Sequence, residues 1–249
     1  MASRTEIELL LDTLLQPGRF KDYGPNGLQV EGKPEVRKIV SGVTASLALI
    51  DAAIVAGADA VLVHHGLFWR GQDGRLTGWL KTRVERLLAH QINLLAYHLP
   101  LDAHPELGNN AQLGQRLGLV ADARFGEQEL GFIAPAGPAR STSALAAQLQ
   151  TLLRREPTVV PGDGRPLRRI AWCTGGAQGW FEAAMAAGAD AFITGEISEP
   201  QAHYARESGV AFIACGHHAS ERYGAPAVAQ WVSDRLGVSH QFIDIDNPA

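Results

Sequence analysis

A tetrapeptide that returns unchanged sets the first constraint on this chain: Gly57-Ala58-Asp59-Ala60 recurs as Gly188-Ala189-Asp190-Ala191, 131 residues on. The copies sit in matching surroundings. Lys38-Ile39, which opens an apolar run to Val43, aligns with Arg169-Ile170, and Val61-Leu62-Val63 aligns with Phe192-Ile193-Thr194. In the first copy residues 38–43 read as a strand, about Ser46 to Ala56 as a helix, Gly57-Ala58-Asp59 as its C-terminal turn, and Ala60 to Val63 as the next strand. That is a βαβ unit. Farther on, Asn93 to Ala96 before His98 parallels Ala211 to Ala214 before His217. Features that keep their order in both halves predict two diverged copies of one α/β module, although Gly-Ala-Asp-Ala alone is also a common helix-to-strand turn. Alternating β and α signals predict an α/β fold with mainly parallel sheets flanked by helices.

The remaining segments fill in around this pair. Ser3 and Glu6 have capping-box spacing, and Ile7, Leu10, Leu11, Leu14 and Leu15 recur at helical intervals until Pro17-Gly18, so an amphipathic helix opens the chain. Between the copies, Glu129 to Ala134 reads as a short strand, Ser141 to Arg154 as a helix, and Pro157 to Pro166 as a Pro/Gly-rich connection. The boundary is expected near Ala121 to Gly126, giving modules 1–125 and 126–249, with the C-terminal segment able to pack on the first.

A length of 249 residues with 46% hydrophobic and 19% charged residues suffices for a sizeable core. The net charge of −4, without a Lys/Arg run interleaved with aromatics, gives no footprint for nucleic acid outside a locally basic ring. Cys173 and Cys215 lie in apolar stretches and read as buried thiols of a reducing compartment. Neither a signal peptide nor a membrane span is read, so a cytoplasmic protein without a membrane partner is expected.

Imidazoles and carboxylates collect where the strands stop. His64-His65 ends one apolar run, and two His-x-x-x-acid pairs follow others: His98-Leu-Pro-Leu-Asp102 and His217-His218-Ala-Ser-Glu221. In open α/β sheets ligands bind beyond the carboxyl ends of strands, and imidazole nitrogen with carboxylate oxygen is the donor set of a catalytic metal. His217 and Glu221 on one helical turn share a face. His64 and His65 would point apart on a regular strand, so a turn at the strand end is needed for both to serve neighbouring ions. Asp102, on a loop reached through Pro100, completes the set or else caps the segment after it. His98 can coordinate, orient a ligand or act as acid or base, and His218 and His104 read as orienting or surface groups. His90 and His240 read as structural. Two divalent ions against two carboxylates leave about +2, which attracts an anionic small molecule and suits hydrolysis by a metal-activated water.

These residues carry a resemblance. Val63-His64-His65-Gly66, His98 to Asp102 with His104 to Asn110, Thr194-Gly195-Glu196 and Gly216 to Arg222, together with Tyr23 to Val30, Trp172 to Gly176 and the closing Phe242 to Ala249, resemble the dinuclear-metal-centre family of GTP cyclohydrolase 1 type 2 homologues, or Nif-three-like proteins, in its short bacterial form. The resemblance implies His64, His65, Asp102, His217 and Glu221 as ligands of two divalent ions, with Glu221 bridging, and leaves iron, zinc, manganese and nickel open. It also implies a homohexameric toroid, a trimer of dimers, and attack of water on a purine nucleotide. The alternative is a metal-delivery protein without catalysis. Glu196 and His203 read either as substrate contacts or as structural residues, and the resemblance implies that Asn26 lines the substrate cavity. Thr174-Gly175-Gly176-Ala177 reads equally as a phosphate-binding loop and as a tight turn.

Overall fold

The repeated Gly-Ala-Asp-Ala makes the same hydrogen bonds in both places. One carboxylate oxygen of Asp59 accepts from the amides of Arg37 and Lys38, at 2.9 and 3.3 Å, and that of Asp190 accepts from Arg168 and Arg169, at 2.8 and 3.0 Å. Their backbones repeat the pattern. The Asp59 amide donates to Lys38 and its carbonyl accepts from Asn93, while Asp190 does likewise with Arg169 and Ala211. Each Asp therefore ties the starts of three successive strands together. The glycine two residues earlier has φ of +71° at Gly57 and +84° at Gly188, the left-handed turn that ends the preceding helix.

The computed structural model describes residues 1–249. By its contacts the chain falls into two units, residues 1–108 with 224–246, and residues 109–223 with 247–249. The first contains β1 (Ala2–Ser3), α1 (Arg4–Leu15), β2 (Gly27–Val30), β3 (Glu35–Val36), β4 (Lys38–Thr44), α2 (Leu47–Val55), β5 (Ala60–His65), α3 (Gly78–Ala89), β6 (Asn93–Ala96) and α4 (Leu99–Ala103). The second contains α5 (Asn109–Leu117), β7 (Ala123–Phe125), β8 (Gly131–Pro135), α6 (Thr142–Leu153), β9 (Thr158–Val160), β10 (Arg169–Trp172), α7 (Phe181–Ala186), β11 (Ala191–Thr194), α8 (Glu199–Ser208), β12 (Ala211–Ala214) and α9 (His217–Ser220). The chain then returns to the first unit as α10 (Gly224–Leu236) and β13 (Ser239–Phe242).

The fold is mixed α/β with helices flanking the sheets, as the alternation predicts. In the first unit the order is β13-β4-β5-β6-β2, parallel except for the antiparallel edge strand β2. In the second the order is β7-β8-β10-β11-β12-β9. Only β10-β11-β12 is parallel there, and β7, β8 and β9 all pair antiparallel. The expectation of mainly parallel sheets thus describes the shared three-strand centre rather than the second unit's edges. One of those edges, β9, lies in the stretch read as a connection, because only three residues of strand separate Pro157 from Pro161-Gly162.

The division at Gly108 also differs from the expected boundary near 121–126. Helix α5 explains it: Leu113 and Leu117 are buried in one core with Phe132, Leu145, Leu149 and Trp172 of the second unit. Helix α10 belongs with the first for the same reason, since Ala225, Val228, Ala229 and Val232 share a core with Ile7, Leu11, Ile39 and Leu62. Burial of such apolar faces is the main force that assigns a helix to its unit. No helix is long and apolar enough to cross a membrane, and Cys173 and Cys215 are buried free thiols.

Candidate metal centre

In the first unit the donors stand at the carboxyl end of the parallel strands. His64 and His65 are the last residues of β5, the first fully buried and the second partly so. Both remain within the strand, yet their ring centroids are 4.5 Å apart at 46°, so the backbone turn expected after the strand is not needed to bring them together. His98 follows β6, with its ring 4.9 Å from that of His64 and 5.7 Å from that of His65. One ring nitrogen of each of the three lies within 4.8 Å of the others. Asp102 is buried on α4 rather than on an open loop, because Pro100 occupies the first turn of a short helix, where its missing amide is not needed. Its Oδ1 is 3.6 Å from His64 Nε2.

The orientation of each ring is set by what its Nδ1 touches. His64 Nδ1 donates to the Tyr97 carbonyl at 3.1 Å, and His98 Nδ1 donates to Asp22 Oδ1 at 2.7 Å. His65 Nδ1 is 3.0 Å from Thr44 Oγ1, a hydroxyl that can play either role. In His64 and His98 the proton therefore sits on Nδ1 and Nε2 is the acceptor nitrogen, the arrangement by which a metal-ligating imidazole is fixed in one tautomer. Asp22, the residue that supports His98, is one that the sequence reading missed. It lies in a turn-rich segment 76 residues before its partner, and no spacing rule links the two. Burial pushes its carboxyl up, but hydrogen bonds from His98, Asn26 and the Tyr23 amide prevail and hold it below the ordinary value.

In the second unit His217 stands between two carboxylates. Its Nδ1 is 2.6 Å from Glu196 Oε1 and its Nε2 is 3.3 Å from Glu221 Oε2. Glu196 lies just past β11, where His65 is the last residue of β5, and is further held by Gln178 Nε2 at 3.0 Å. Glu221 is only 3% exposed and closes the single turn of α9 rather than opening a longer helix. Burial alone would lower the His217 pKa, but Glu221 and Glu196 outweigh it and raise it to about 9. The charged His217 ring in turn is the main reason that Glu196 lies below the usual carboxylate range, against an opposing effect of burial.

The loop 174–177 is a tight turn by its hydrogen bonds. The Thr174 amide donates to Asn110 Oδ1, that of Gly175 to Ser220 Oγ, and that of Ala177 to Thr194 Oγ1. These amides are thereby committed within the protein, which favours the turn over a phosphate cradle. Gly175 has φ of +71°, and a Cβ there would collide with Glu221 Oε1 and stand 3.2 Å from His217 Nε2. The glycine keeps a space that a larger residue would fill.

The other candidates are distributed unevenly. Asn26 is built into the His98 support: its Nδ2 donates to Asp22 and its Oδ1 accepts from the His98 amide at 2.7 Å. His218 is nearly buried, and its amide donates to the Ala249 carbonyl. His203 sits on the exposed side of α8 with its Nε2 2.9 Å from Glu199, apart from the Glu196-His217-Glu221 chain. His104 Nδ1 accepts from the Glu106 and Leu107 amides, and His240 bonds Ser41 and Gln230. Both serve structure. The donors as a set are imidazole nitrogen and carboxylate oxygen with ring tautomers largely fixed, which fits a borderline or hard divalent ion.

A paired-carboxylate histidine in one α/β unit and a tri-imidazole cluster with a buried aspartate in another define a protein with candidate metal-binding groups on two sheets. The chain belongs to the Duf34/NIF3 (NGG1p interacting factor 3) family, whose model matches residues 2–248. A Neisseria meningitidis serogroup A protein named GTP cyclohydrolase 1 type 2 homolog is 50% identical over 249 residues, covering 100% of both chains. Among solved structures, one described as protein ybgI of unknown function matches with a TM-score of 0.96 at 46% identity over 100% of both chains. TTHA1606 from Thermus thermophilus matches with a TM-score of 0.92 at 35% identity, again over 100% of both.

Proposed function

We propose that this chain is a metal-dependent hydrolase of nucleotide-like or phosphorylated small molecules. His64, His65 and Asp102 of the first unit and His217 and Glu221 of the second would hold two divalent ions. The observation that carries this reading is the fixing of the rings. His64 and His217 each spend Nδ1 on a carbonyl or carboxylate of the chain, which makes Nε2 the nitrogen a metal would take, in His217 by displacing its second proton. Bound ions supply Lewis acidity and water activation at neutral pH. The chain's own groups do the rest: β5 buries His64 away from water, Glu196 orients His217, and Gly175 leaves room beside Glu221. The name carried by the relatives points to GTP, a purine nucleotide whose phosphates suit a cationic centre.

A second reading is metal delivery without turnover, favoured by a donor set that selects no single ion. A screen of the zinc- and manganese-loaded protein against nucleotides, phosphoesters and cyclic amides separates the two. Turnover lowered at least about 100-fold in Glu221→Ala and His65→Ala supports the hydrolase. Transfer of metal to an apo-acceptor with no turnover supports delivery. A homohexamer, as a trimer of dimers, is the proposed assembly, and light scattering on the eluted protein measures it.

A further inference from the structure

Of the three clustered imidazoles of the first unit, His64, His65 and His98, the last is the one that the proposed ligand set does not use, and it is held most elaborately. Asp22, with a side chain 4% exposed, accepts from His98 Nδ1 at 2.7 Å and from the Tyr23 amide at 2.6 Å through Oδ1. Its Oδ2 accepts from the Leu99 amide and from Asn26 Nδ2, both at 2.9 Å. Asn26 closes the circuit by accepting the His98 amide. Four donors on one carboxylate leave it no freedom to turn, and an ionised carboxylate accepts only. His98 Nδ1 must therefore carry the ring proton.

We infer that Asp22 is the positioning residue of His98, holding that ring as a fixed hydrogen-bond acceptor at Nε2 beside His64 and His65. Its partner is an O–H or N–H of the reacting molecules, a water or a hydroxyl or amide of the substrate, rather than a metal ion. The edge of Trp69, its ring 5.0 Å from His98 at 89°, and Tyr23 at 6.0 Å flank the same imidazole and limit the approach to it. This inference rests on the hydrolase reading for its chemistry, and on the hydrogen bonds for its geometry.

Asp22→Asn tests it because the amide must choose a face. With the amide oxygen at the Oδ2 position, the Leu99 and Asn26 bonds survive, the Tyr23 bond is lost, and the new NH2 donates to His98 Nδ1, which moves the ring proton to Nε2. The opposite orientation sets NH2 against two donors, the Leu99 amide and Asn26 Nδ2, rather than against the Tyr23 amide alone, so the first is preferred. Ring nitrogen NMR of the zinc-loaded protein reads the tautomer directly. The expected result is Nδ1–H at His98 in the wild type and Nε2–H in Asp22→Asn, with equal zinc content. Hydrolysis of p-nitrophenyl phosphate should lose about 100-fold in kcat, the weight of one positioned acid or base, with KM within about threefold. An Nε2–H tautomer in the wild type would overturn the inference without any variant, as would an unchanged tautomer or loss of zinc in Asp22→Asn. A wild type that turns over no phosphoester would count against the hydrolase reading and leave the ring nitrogens to decide this one.

Discussion

At the scale of single residues, Gly175 shows how backbone geometry and site chemistry constrain one position together. Its φ of +71° already disfavours a side chain, and the nearest heavy atom to a Cβ would be Glu221 Oε1. Gly175→Ala is expected to push the carboxylate aside and to cost about 1–3 kcal/mol through strain. Metal content measured by mass spectrometry should fall below that of the wild type, and full retention of metal would contradict the assignment of Glu221. Asp59 supplies a test of the fold away from the metal groups. Burial works to raise its carboxyl, but Lys33 and the Arg37 and Lys38 amides prevail and hold it below its ordinary value. A carboxyl lowered in the folded state contributes stability above its unfolded pKa, about 4, and loses that contribution as pH falls through the lower folded value. Asp59→Ala should therefore be less stable than the wild type at pH 7 by about 1–3 kcal/mol. Urea titrations should show the gap narrowing below about pH 4.

At the scale of elements, α10 tests the assignment of its residues to the first unit. Its buried face is made of small and β-branched residues, Ala225, Val228, Ala229 and Val232, all fully buried. Ala229→Leu has no room to fill and should destabilise by about 1–3 kcal/mol, read as a lower urea midpoint with unchanged slope. An unaffected midpoint would mean that this face is not closely packed. The elements most legible in the sequence were those whose pattern is local. The capping box of Ser3 and Glu6 forms as its spacing implies, and α2, β5 and α6 lie within a residue or two of their expected spans. What escaped depends on partners distant in sequence. The strand β9 is defined by pairing with β12, and the place of α5 by a core centred on Trp172. In the site, residue type announced the histidines, while Asp22 looked like any turn aspartate until the fold set it against His98.

At the scale of the whole molecule, the proposed ligands are drawn from both units, and metal-linked stability can show whether they act on a common pair of ions. Folding alone assembles such donors, so bound metal stabilises by mass action, about 4 kcal/mol when free metal exceeds Kd by about 1,000-fold. For a chain of 249 residues this corresponds to roughly 10 °C in Tm. Removing metal with a chelator should lower the melting temperature by that order, and the difference between loaded and stripped protein isolates the metal's contribution from any cost of a substitution itself. His64→Ala changes a donor of the first unit and His217→Ala one of the second. If the five donors serve one dinuclear centre, each variant alone should lose most of the metal-linked difference, and the double variant little more, because contributions that act as a unit do not add. If the units bind metal independently, each single variant should keep the other's share and the double variant should lose the sum. Additive losses would remove Glu221 as a bridge while leaving each unit's own donors in place.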